Sequence, residues 1–275
     1  MEYHVINNEV VLSDIPDFNL SKTFECGQCF RWNTDEAGVY TGIAFGKVLK
    51  LRCSGGNIIF TCSAEDFENI WCDYFDFTRN YSDIRNLLCT DNFMKEATSY
   101  GTGIRILKQE KWETLCSFII SQNNNIPRIK KIIEVLCYTF GDKIIFENKP
   151  YYTFPPAQRL ASLSINDLSV LRCGYRTNYI LSAAQSIAGN TINLEALKAL
   201  TPESAKKALM QLHGVGAKVA DCTLLFGLHM LDSFPRDVWI ERALLKFYDK
   251  EFNPQIFSPY AGIAQQYIFY YIRNI

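Results

Sequence analysis

Residues 212–222, LHGVGAKVADC, place two closely spaced glycines just before a lysine, which suits either phosphate binding or amine chemistry. A nucleotide-binding P-loop needs four residues between its glycines and a serine or threonine after its lysine. Here a single residue separates Gly214 from Gly216, and Val219 follows Lys218. A dinucleotide-binding loop needs a third glycine at position 219, where this chain has valine. It also needs a strand before the glycines, whereas the segment before them has helical spacing. Both nucleotide-binding alternatives are therefore excluded.

The remaining interpretation of this segment is a tight turn between two helices. Gly214 and Gly216 permit positive φ angles and the close approach of another backbone. The amides of Gly214, Gly216 and Val219 would then lie at the N-terminus of a new helix, where the helix dipole favours an anion such as a DNA phosphate. Such a contact needs no bulk positive charge, and the 275-residue chain has a formal net charge of −1. A protein that binds nucleic acid through bulk charge would be far more basic.

Lys218 and Asp237 are the candidate reactive side chains. The positive helix end disfavours an ammonium ion at Lys218, so we expect a share of neutral amine, a nucleophile able to form a Schiff base. On its own, a lysine in this place is usually just solvated. Asp237 opens a helical run, where it would cap the helix and could also stabilise a developing cationic sugar. Cys222 lies one turn after Lys218 and on its own fits core packing.

The elements that position these residues are predicted from apolar spacing. Three segments predict the strands of a small antiparallel sheet: GVYTGIAF (38–45), KVLKLRC (47–53) and IIFTC (58–62). Apolar and charged residues alternate in the second, and the turn SGGN (54–57) joins it to the third in a hairpin. From about Ala64 apolar residues recur every three or four positions, and Pro127 and Pro202 suit the first turns of helices. The sequence therefore predicts an α+β chain, with an N-terminal sheet domain and flanking helices over residues 1–98 and a larger all-helical region over residues 99–275.

The ten cysteines bear on metal and redox chemistry. Only Cys26 and Cys29 form a CxxC pair; zinc would need a second ligand pair, and the chain has just three histidines. No cysteine follows Cys222, so no four-cysteine iron–sulfur run closes the chain. No apolar run reaches the ~18 residues that span a bilayer, and the start MEYHVINNEVVLSD lacks a secretory signal. We therefore expect a cytoplasmic protein with reduced thiols.

Beyond these local patterns, the chain resembles the helix-hairpin-helix superfamily of DNA glycosylases. LHGVGAKVADC followed by Pro235-x-Asp237 is similar to the hairpin, Gly/Pro-rich loop and aspartate of that superfamily, and its lysine is similar to that of the bifunctional members. Three further segments narrow the resemblance to the 8-oxoguanine DNA glycosylase/AP lyase family and extend it over nearly the whole chain. They are GQCFRW (27–32), SQNNNIPRIKK (121–131) with GYRTNYI (174–180), and SPYAGIAQQYIF (258–269). The resemblance implies a TBP-like N-terminal sheet domain and two helical lobes, with the hairpin near residues 212–217.

The resemblance assigns four residues to a pocket for an extruded base. 8-Oxoguanine carries a hydrogen on N7, where guanine has an acceptor, and the main-chain carbonyl of Gly27 would accept it. Gln265 would bond the pairing edge of the base, and Phe269, four residues on along one helix face, would stack on its ring opposite Cys222. From the residues alone, Gly27 also fits a β-turn and Phe269 fits the core, so these alternatives stay open.

The resemblance assigns a second group of residues to the cytosine that the extruded base leaves unpaired. Asn123 would enter the gap, and Tyr175 would act as a wedge beside it. Arg128 and Arg176 would donate to the acceptor edge of cytosine. An asparagine run before a proline-started helix is also typical of a plain polar loop.

One residue departs from the family pattern. Trp239 stands two residues after Asp237, where the family more often has a histidine that touches a phosphate. Tryptophan has a single N–H and no charge, so it lacks the charge with which a protonated histidine contacts a phosphate. Arg236, just before Asp237, is a candidate source of the missing charge.

The function implied by the resemblance is excision of 8-oxoguanine opposite cytosine from duplex DNA. Lys218 would attack the anomeric carbon, Asp237 would stabilise the cationic sugar, and the Schiff base on Lys218 would lead to β-elimination of the 3′ phosphate. We expect a monomer on double-stranded DNA, with no membrane partner, cofactor or iron–sulfur cluster; a monovalent or calcium ion on the hairpin carbonyls is compatible with the sequence. Two alternatives stay open: a bifunctional glycosylase for another oxidised base, and a non-catalytic helix-hairpin-helix DNA-binding module.

Overall fold

A computed structural model describes residues 2–13, 15–248 and 252–275, and within them the N-terminal part forms a six-stranded sheet. Its strands are β1 His4–Ile6, β2 Glu9–Ser13, β3 Asn33–Thr34, β4 Tyr40–Ala44, β5 Lys47–Ser54 and β6 Asn57–Phe60, and a separate hairpin holds β7 Lys143–Phe146 and β8 Lys149–Tyr152. The six strands follow the order β1-β2-β6-β5-β4-β3, and β2 pairs antiparallel with both β1 and β6. The three predicted strands are present as β4, β5 and β6.

In the described part of the chain, the sequence prediction lacks strand β3, which pairs antiparallel with β4, and two β-hairpins with two-residue turns. Asn7 and Asn8, which join β1 to β2, have φ angles of 50° and 63°, the left-handed values of a type I′ turn. Glu147 and Asn148, which join β7 to β8, have φ angles of 48° and 61°. The predicted fold class is confirmed, and the β7–β8 hairpin is an addition to the region predicted as all-helical.

The helices agree with the predicted apolar spacing and proline starts. Pro127 lies in the first turn of a helix capped by Asn125, and Pro202 lies in that of a helix capped by Thr201. The α-helices are α1 Leu20–Glu25, α2 Ala64–Asp66, α3 Cys72–Tyr74, α4 Tyr81–Leu88, α5 Asn92–Tyr100, α6 Lys111–Ser121, α7 Ile126–Phe140, α8 Ala157–Ala161, α9 Arg176–Ala188, α10 Pro202–Leu209, α11 Ala217–Cys222, α12 Val238–Phe247 and α13 Ala261–Asn274. The segments Phe67–Trp71 and Thr223–Gly227 are π-helical and continue α2 and α11. Among the described residues, no helix has both the length and the apolar character that crossing a membrane requires.

The described chain divides into two compact units. The sheet unit comprises residues 1–42, 49–108 and 229–275, and the hairpin unit comprises residues 43–48 and 109–228. These units differ from the predicted division after residue 98, because residues 229–275 belong to the same unit as most of the N-terminal part. The predicted domain boundary stays a prediction.

Contacts within the sheet unit explain why its C-terminal helices belong there. The rings of Phe93 and Phe247 stack with their centroids 4.0 Å apart, which joins α5 to α12. Tyr271 on α13 donates a hydrogen bond to Glu96 on α5 at 2.6 Å. The sequence separation of these partners exceeds 150 residues, so local periodicity gives no sign of them.

A buried charge cluster lies in the sheet unit around Asp76, whose side chain is fully buried. Arg79 donates to the carboxylate at 2.7 Å and Tyr81 at 3.1 Å, while His229 Nε2 and Lys108 Nζ each lie 3.3 Å from one of its oxygens. Burial alone would raise the pKa of the Asp76 carboxyl, but the interactions with His229 and Arg79 outweigh it and lower the pKa to about 2. The carboxylate is therefore charged and paired at neutral pH.

The hairpin unit is organised around α6, which is buried from Thr114 to Ile120. Phe118 on this helix stacks on Phe226 with ring centroids 5.4 Å apart. The backbone amide of Gln109 donates to the Phe226 carbonyl at 3.0 Å. Helix α6 is thus fixed to the π-helical segment that continues α11, and this packing determines where the end of α6 meets the start of α11.

Candidate active site

Lys218 lies in the first turn of α11 and is held against α6. Its Nζ donates to Ser121 Oγ at 3.1 Å and lies 4.9 Å from the centroid of the Phe118 ring. The Ser121 hydroxyl donates its only proton to the Phe118 carbonyl at 2.8 Å, so towards the lysine it acts as an acceptor. Lys218 is half-buried rather than extended into solvent. A neutral amine held in this way keeps its lone pair free for an electrophilic carbon.

The turn before α11 agrees with the predicted hairpin, but its two glycines differ. Gly214 has a φ of 82°, and a Cβ there would lie 2.1 Å from Tyr179 Cγ, so this position accepts only glycine. Gly216 has an ordinary φ of −90° and serves as the N-cap of α11. Because glycine has no side chain, the amides of the first turn, up to Val219, have no side-chain cap. Gln122 Nε2 donates to the Gly214 carbonyl at 3.0 Å and ties the turn to the end of α6.

Asn123, Tyr175 and Arg176 form one cluster in the hairpin unit. Asn123 has a φ of 45°, and its Nδ2 donates to the Tyr175 hydroxyl at 3.4 Å. The Arg176 guanidinium lies 4.6 Å from the centroid of the Tyr175 ring and donates to the carbonyls of Gln122, Asn123 and Cys173. Arg176 is buried and fixes this loop, so its contact with cytosine stays a prediction.

Arg128 occupies a different setting from Arg176. It is exposed in the first turn of α7, and its Nη2 donates to the Arg172 carbonyl at 3.3 Å. Its guanidinium donates no other hydrogen bond within the residues that the structure describes. Most of its donors are therefore available to a nucleic-acid partner.

Gly27 lies in the sheet unit next to Phe269. Its φ of 81° is left-handed, and a Cβ at this position would lie 3.2 Å from Phe269 Cε1. Over the described ranges 2–13, 15–248 and 252–275, no group donates a hydrogen bond to the Gly27 carbonyl. The structure thus brings together the predicted acceptor and the predicted stacking ring.

Gln28 anchors the loop that carries Gly27. Its side chain is fully buried. Nε2 donates to the carbonyls of Thr23 and Arg105 at 2.9 and 2.7 Å, and Oε1 accepts from the Leu107 amide at 2.9 Å. One side chain therefore binds backbone groups of Thr23 and of the segment 105–107, and these hydrogen bonds fix the loop that carries Gly27.

Gln265 and Phe269 lie one turn apart on α13. Gln265 is only 4% exposed, and its Oε1 accepts a hydrogen bond from Gln266 Nε2 at 2.9 Å. Gln265 Nε2 donates to no group in the part of the chain that the structure describes. The guanidinium of Arg273 lies 5.1 Å from the centroid of the partly exposed Phe269 ring.

Asp237 is the N-cap of α12. Its Oδ1 accepts from the backbone amides of Trp239 and Ile240 at 3.0 and 2.9 Å. Both bonds use the same oxygen, so Oδ2 makes no hydrogen bond to the described residues. Asp237 can therefore cap the helix with one oxygen and keep the other for the predicted stabilisation of a cationic sugar, which stays a prediction.

Two arginines, Arg236 and Arg242, lie near Trp239, the residue that stands where the family more often has a histidine. Trp239 is 41% exposed, and the Arg242 guanidinium lies 5.4 Å from the centroid of its ring. Arg236 donates to the Phe252 carbonyl at 2.9 Å and lies 3.6 Å from the Glu241 carboxylate. Arg236 therefore has partners within the chain, and its predicted phosphate contact stays a prediction.

Seven of the ten cysteines are buried, Cys72 is partly exposed, and Cys53 and Cys89 are exposed. Cys222 is 2% exposed, so its stacking on a base is still a prediction. Burial raises the pKa of the Cys26 thiol to about 12, which keeps it neutral and unlike a metal-binding thiolate. Among the described residues, no group of three or more His, Cys, Asp or Glu side chains could hold a metal ion. The expectations about cofactors and a hairpin ion are not tested by this geometry.

Three residues that the structure connects to the site are missing from the sequence prediction: Ser121, Gln28 and Gln266. Ser121 begins the quoted segment SQNNNIPRIKK, and the two glutamines directly follow the predicted residues Gly27 and Gln265. Their positions within the resembling segments were the available signal. Ser121 is 97 residues from Lys218, a pairing that only the tertiary structure reveals.

Known proteins resemble this chain in sequence and in structure. Residues 10–115 match the family model of the 8-oxoguanine DNA glycosylase N-terminal domain. The N-glycosylase/DNA lyase of Saccharomyces cerevisiae is 40% identical over 163 residues, which cover 55% of this chain and 43% of the yeast protein. The chain therefore spans less than half the length of this curated relative.

Two solved structures are similar over almost the full length. MBOgg1, in complex with a low-affinity DNA ligand, has a TM-score of 0.93 and 44% identity, with 99% of each chain covered. The 8-oxoguanine glycosylase/lyase of Clostridium acetobutylicum, in complex with double-stranded DNA containing cytosine opposite 8-oxoG, has a TM-score of 0.93 and 35% identity over 99% of this chain and 98% of that one. With this coverage and identity, the chain belongs to the 8-oxoguanine DNA glycosylase/lyase family.

Proposed function

We propose that this protein, acting as a monomer, excises 8-oxoguanine opposite cytosine from double-stranded DNA and then cleaves the strand at the abasic site. The observation that carries the proposal is the placement of Lys218, whose half-buried amine is held by the Ser121 hydroxyl instead of by bulk water. Family membership supports the same activity, since the Clostridium relative is an 8-oxoguanine glycosylase/lyase.

In the proposed reaction, the neutral amine of Lys218 attacks C1′ of the extruded nucleotide. The N-glycosidic bond breaks, and the base leaves with the bonding electron pair and takes up a proton. The Asp237 carboxylate stabilises the positive charge that develops on the sugar. Ring opening gives a Schiff base between Lys218 Nζ and C1′. Loss of a proton from C2′ then lets the C3′–O bond break, and the 3′ phosphate leaves.

Recognition of the damaged base is assigned to Gly27, Gln265, Phe269 and Cys222. The Gly27 carbonyl would accept the N7 hydrogen of 8-oxoguanine and repel the N7 lone pair of guanine. Its lack of a hydrogen-bond partner in the described chain, and its position beside Phe269, support this role. Gln265 would bond the pairing edge, and Phe269 and Cys222 would stack on the two ring faces. The base has to leave the duplex to reach these groups.

Binding of the opposite strand is assigned to the hairpin unit. Asn123 would fill the gap, Tyr175 would separate the flanking base pair, and Arg128 and Arg176 would read cytosine. The hydrogen bond between Asn123 and Tyr175 supports a joint action of these two side chains.

The hairpin amides are assigned to the DNA backbone. The amides of Gly214, Gly216 and Val219 would donate to phosphate oxygens, aided by the dipole of the helix that follows. The uncapped first turn of α11 supports this assignment, because its donors need partners. This contact also explains how a chain with a net charge of −1 binds a polyanion.

Borohydride trapping tests the nucleophile. Reduction during reaction with a duplex that holds 8-oxoguanine opposite cytosine should trap the wild-type protein covalently, and Lys218→Gln should give no trapped complex. Lys207→Gln, which changes an exposed lysine at the end of α10, is the matched control and should trap normally. Trapping of Lys218→Gln at full yield would show that another group is the nucleophile.

A second pair of measurements tests the pocket and the alternatives. Gln265→Ala should impair excision far more than duplex binding, and equal losses would contradict its assignment to the base. A panel of duplexes with oxidised pyrimidines would identify a glycosylase for another base. A non-catalytic DNA-binding module would bind every duplex and leave all of them intact.

A further inference from the structure

We infer that Gln266 fixes the amide of Gln265 in one orientation and thereby makes the pocket select a guanine-type over an adenine-type pairing edge. The inference rests on the proposed function, because that proposal assigns Gln265 to the pairing edge of the base. Gln266 is a positioning residue: it acts through its neighbour and makes no contact with the base in this scheme.

The hydrogen bond between these two side chains is unusual for adjacent residues of a helix. Residues i and i+1 normally point to different faces of an α-helix. Here Gln266 Nε2 donates to Gln265 Oε1 at 2.9 Å, and the residues are only 3% and 4% exposed. Because water has little access to the pair, the bond holds the Gln265 amide more firmly than a surface contact would.

The direction of the Gln265–Gln266 hydrogen bond decides which atom of the Gln266 amide is left without a partner. In the observed direction, Gln266 Oε1 is buried and has no hydrogen-bond partner within the described residues. If both amides turned over, the Gln266 NH₂ group would be buried without an acceptor. Orphaned buried N–H groups are rarer in proteins than under-satisfied carbonyls. The observed direction is therefore favoured, and it leaves Gln265 Nε2 as a free donor beside an Oε1 that has a second lone pair.

A fixed amide distinguishes the two purine edges because they present opposite patterns. 8-Oxoguanine has the O6 acceptor beside the N1–H donor, which match Nε2 and Oε1 of Gln265 in that order. 8-Oxoadenine has the N6 amino donor beside the N1 acceptor, so donor faces donor and acceptor faces acceptor. Gln265 could pair with this edge only by turning over. That would break its bond to Gln266 or, if Gln266 turned with it, leave the buried NH₂ group of Gln266 unpaired.

The test compares duplexes that hold 8-oxoguanine or 8-oxoadenine opposite cytosine. The two bases share the oxidised five-membered ring, so any contact with Gly27 cancels from the ratio of their dissociation constants. The ratio is measured in the Lys218→Gln background, which prevents the covalent step. Gln266→Met, which keeps the side-chain length but removes the amide, should reduce the preference for 8-oxoguanine by about tenfold.

Tyr267→Phe is the matched control for the loss of a buried polar atom. Tyr267 is the next residue of α13, is fully buried, and its hydroxyl has no hydrogen-bond partner within the described residues. This variant should keep the wild-type preference, because it leaves the Gln265–Gln266 bond in place.

The outcomes separate this inference from the proposed function. An unchanged preference in folded Gln266→Met overturns the inference, and Gln266→Leu provides the same test if the methionine variant does not fold. Failure of the pocket assignment has a different signature, since Gln265→Met would then leave both dissociation constants unchanged. Failure of the reaction assignment would be seen as covalent trapping of Lys218→Gln.

Discussion

Replacing Gly214 with alanine would place a methyl group where the structure has no room for one. The φ of 82° disfavours any L-residue with a Cβ, at a cost of about 1–2 kcal/mol. The added Cβ would also lie 2.1 to 2.5 Å from Cγ, Cδ2 and Cδ1 of Tyr179. That ring is confined, because it packs edge-on against Tyr175 and His213 with centroids 5.4 and 4.9 Å away. Overpacking of this kind costs a further ~1–3 kcal/mol, so we expect a total loss of about 2–5 kcal/mol.

Two other glycines of the hairpin unit separate the contributions to this loss. Gly46 has a similar φ of 71°, but no atom lies within 4 Å of a Cβ built there, so Gly46→Ala should lose only the backbone contribution of about 1–2 kcal/mol. Gly216 has an ordinary φ of −90° and equally open surroundings. Gly216→Ala should lose less than about 1 kcal/mol, because alanine is merely a poorer N-cap.

Thermal unfolding of the three variants measures these differences. For a chain of this size, 1 kcal/mol corresponds to roughly 2–4 °C in Tm, so Gly214→Ala should melt roughly 4–20 °C below the wild type. Gly46→Ala should melt roughly 2–8 °C below it. If Gly214→Ala melted within about 2 °C of Gly46→Ala, the overlap with Tyr179 would contribute nothing and the steric reasoning would be refuted.

The remaining predictions concern the sheet unit. Gln28→Leu should cost at least ~2 kcal/mol in urea unfolding, because it removes the partner of the buried Arg105 carbonyl and of the Leu107 amide, and one of the two donors to the Thr23 carbonyl. The same variant should also lower the preference for 8-oxoguanine over guanine in excision assays, and an unchanged preference would show that Gly27 does not depend on this anchor. Asp76→Asn should lose about 2 kcal/mol at pH 7, because the folded-state pKa of the carboxyl is lowered to about 2. A lowered pKa stabilises the folded state above about pH 4, and this stabilisation is lost as the pH falls towards 2. The difference in unfolding free energy between this variant and the wild type should therefore shrink from about pH 4 to pH 2. A constant difference would argue against the pairing of Asp76 as its cause.

The local features of the site were predictable because local chemistry specifies them. Two glycines before a lysine predict a turn and a new helix, and the structure has both at Gly214 and α11. The first hairpin was missed although Asn7 and Asn8 tolerate the left-handed conformation it requires. The hairpin was missed because its first strand, β1, has only three residues, which is too few to show an alternation of apolar and polar side chains.

The partners of the site residues could not be predicted from one sequence. Ser121 reaches Lys218 across 97 positions, and Gln28 reaches Leu107 across 79. Nothing in the spacing along the chain indicates such pairs, because they depend on how helices and loops pack after each element has formed. The family resemblance supplied the expected roles of residues such as Gly27, and the tertiary structure supplied the side chains that hold them.

The end of α6 links three contacts of the hairpin unit. Three successive residues there contact three different parts of the hairpin unit: Ser121 accepts from Lys218, Gln122 donates to the Gly214 carbonyl, and Asn123 donates to Tyr175. These three residues are consecutive, so only planar peptide bonds and the φ and ψ angles between them separate the three contacts. If Asn123 enters the gap in the duplex as proposed, the same short stretch of main chain would link its movement to the Ser121 hydroxyl that contacts Lys218. In the proposed reaction, this linkage would couple the opening of the duplex to the placement of the Lys218 amine.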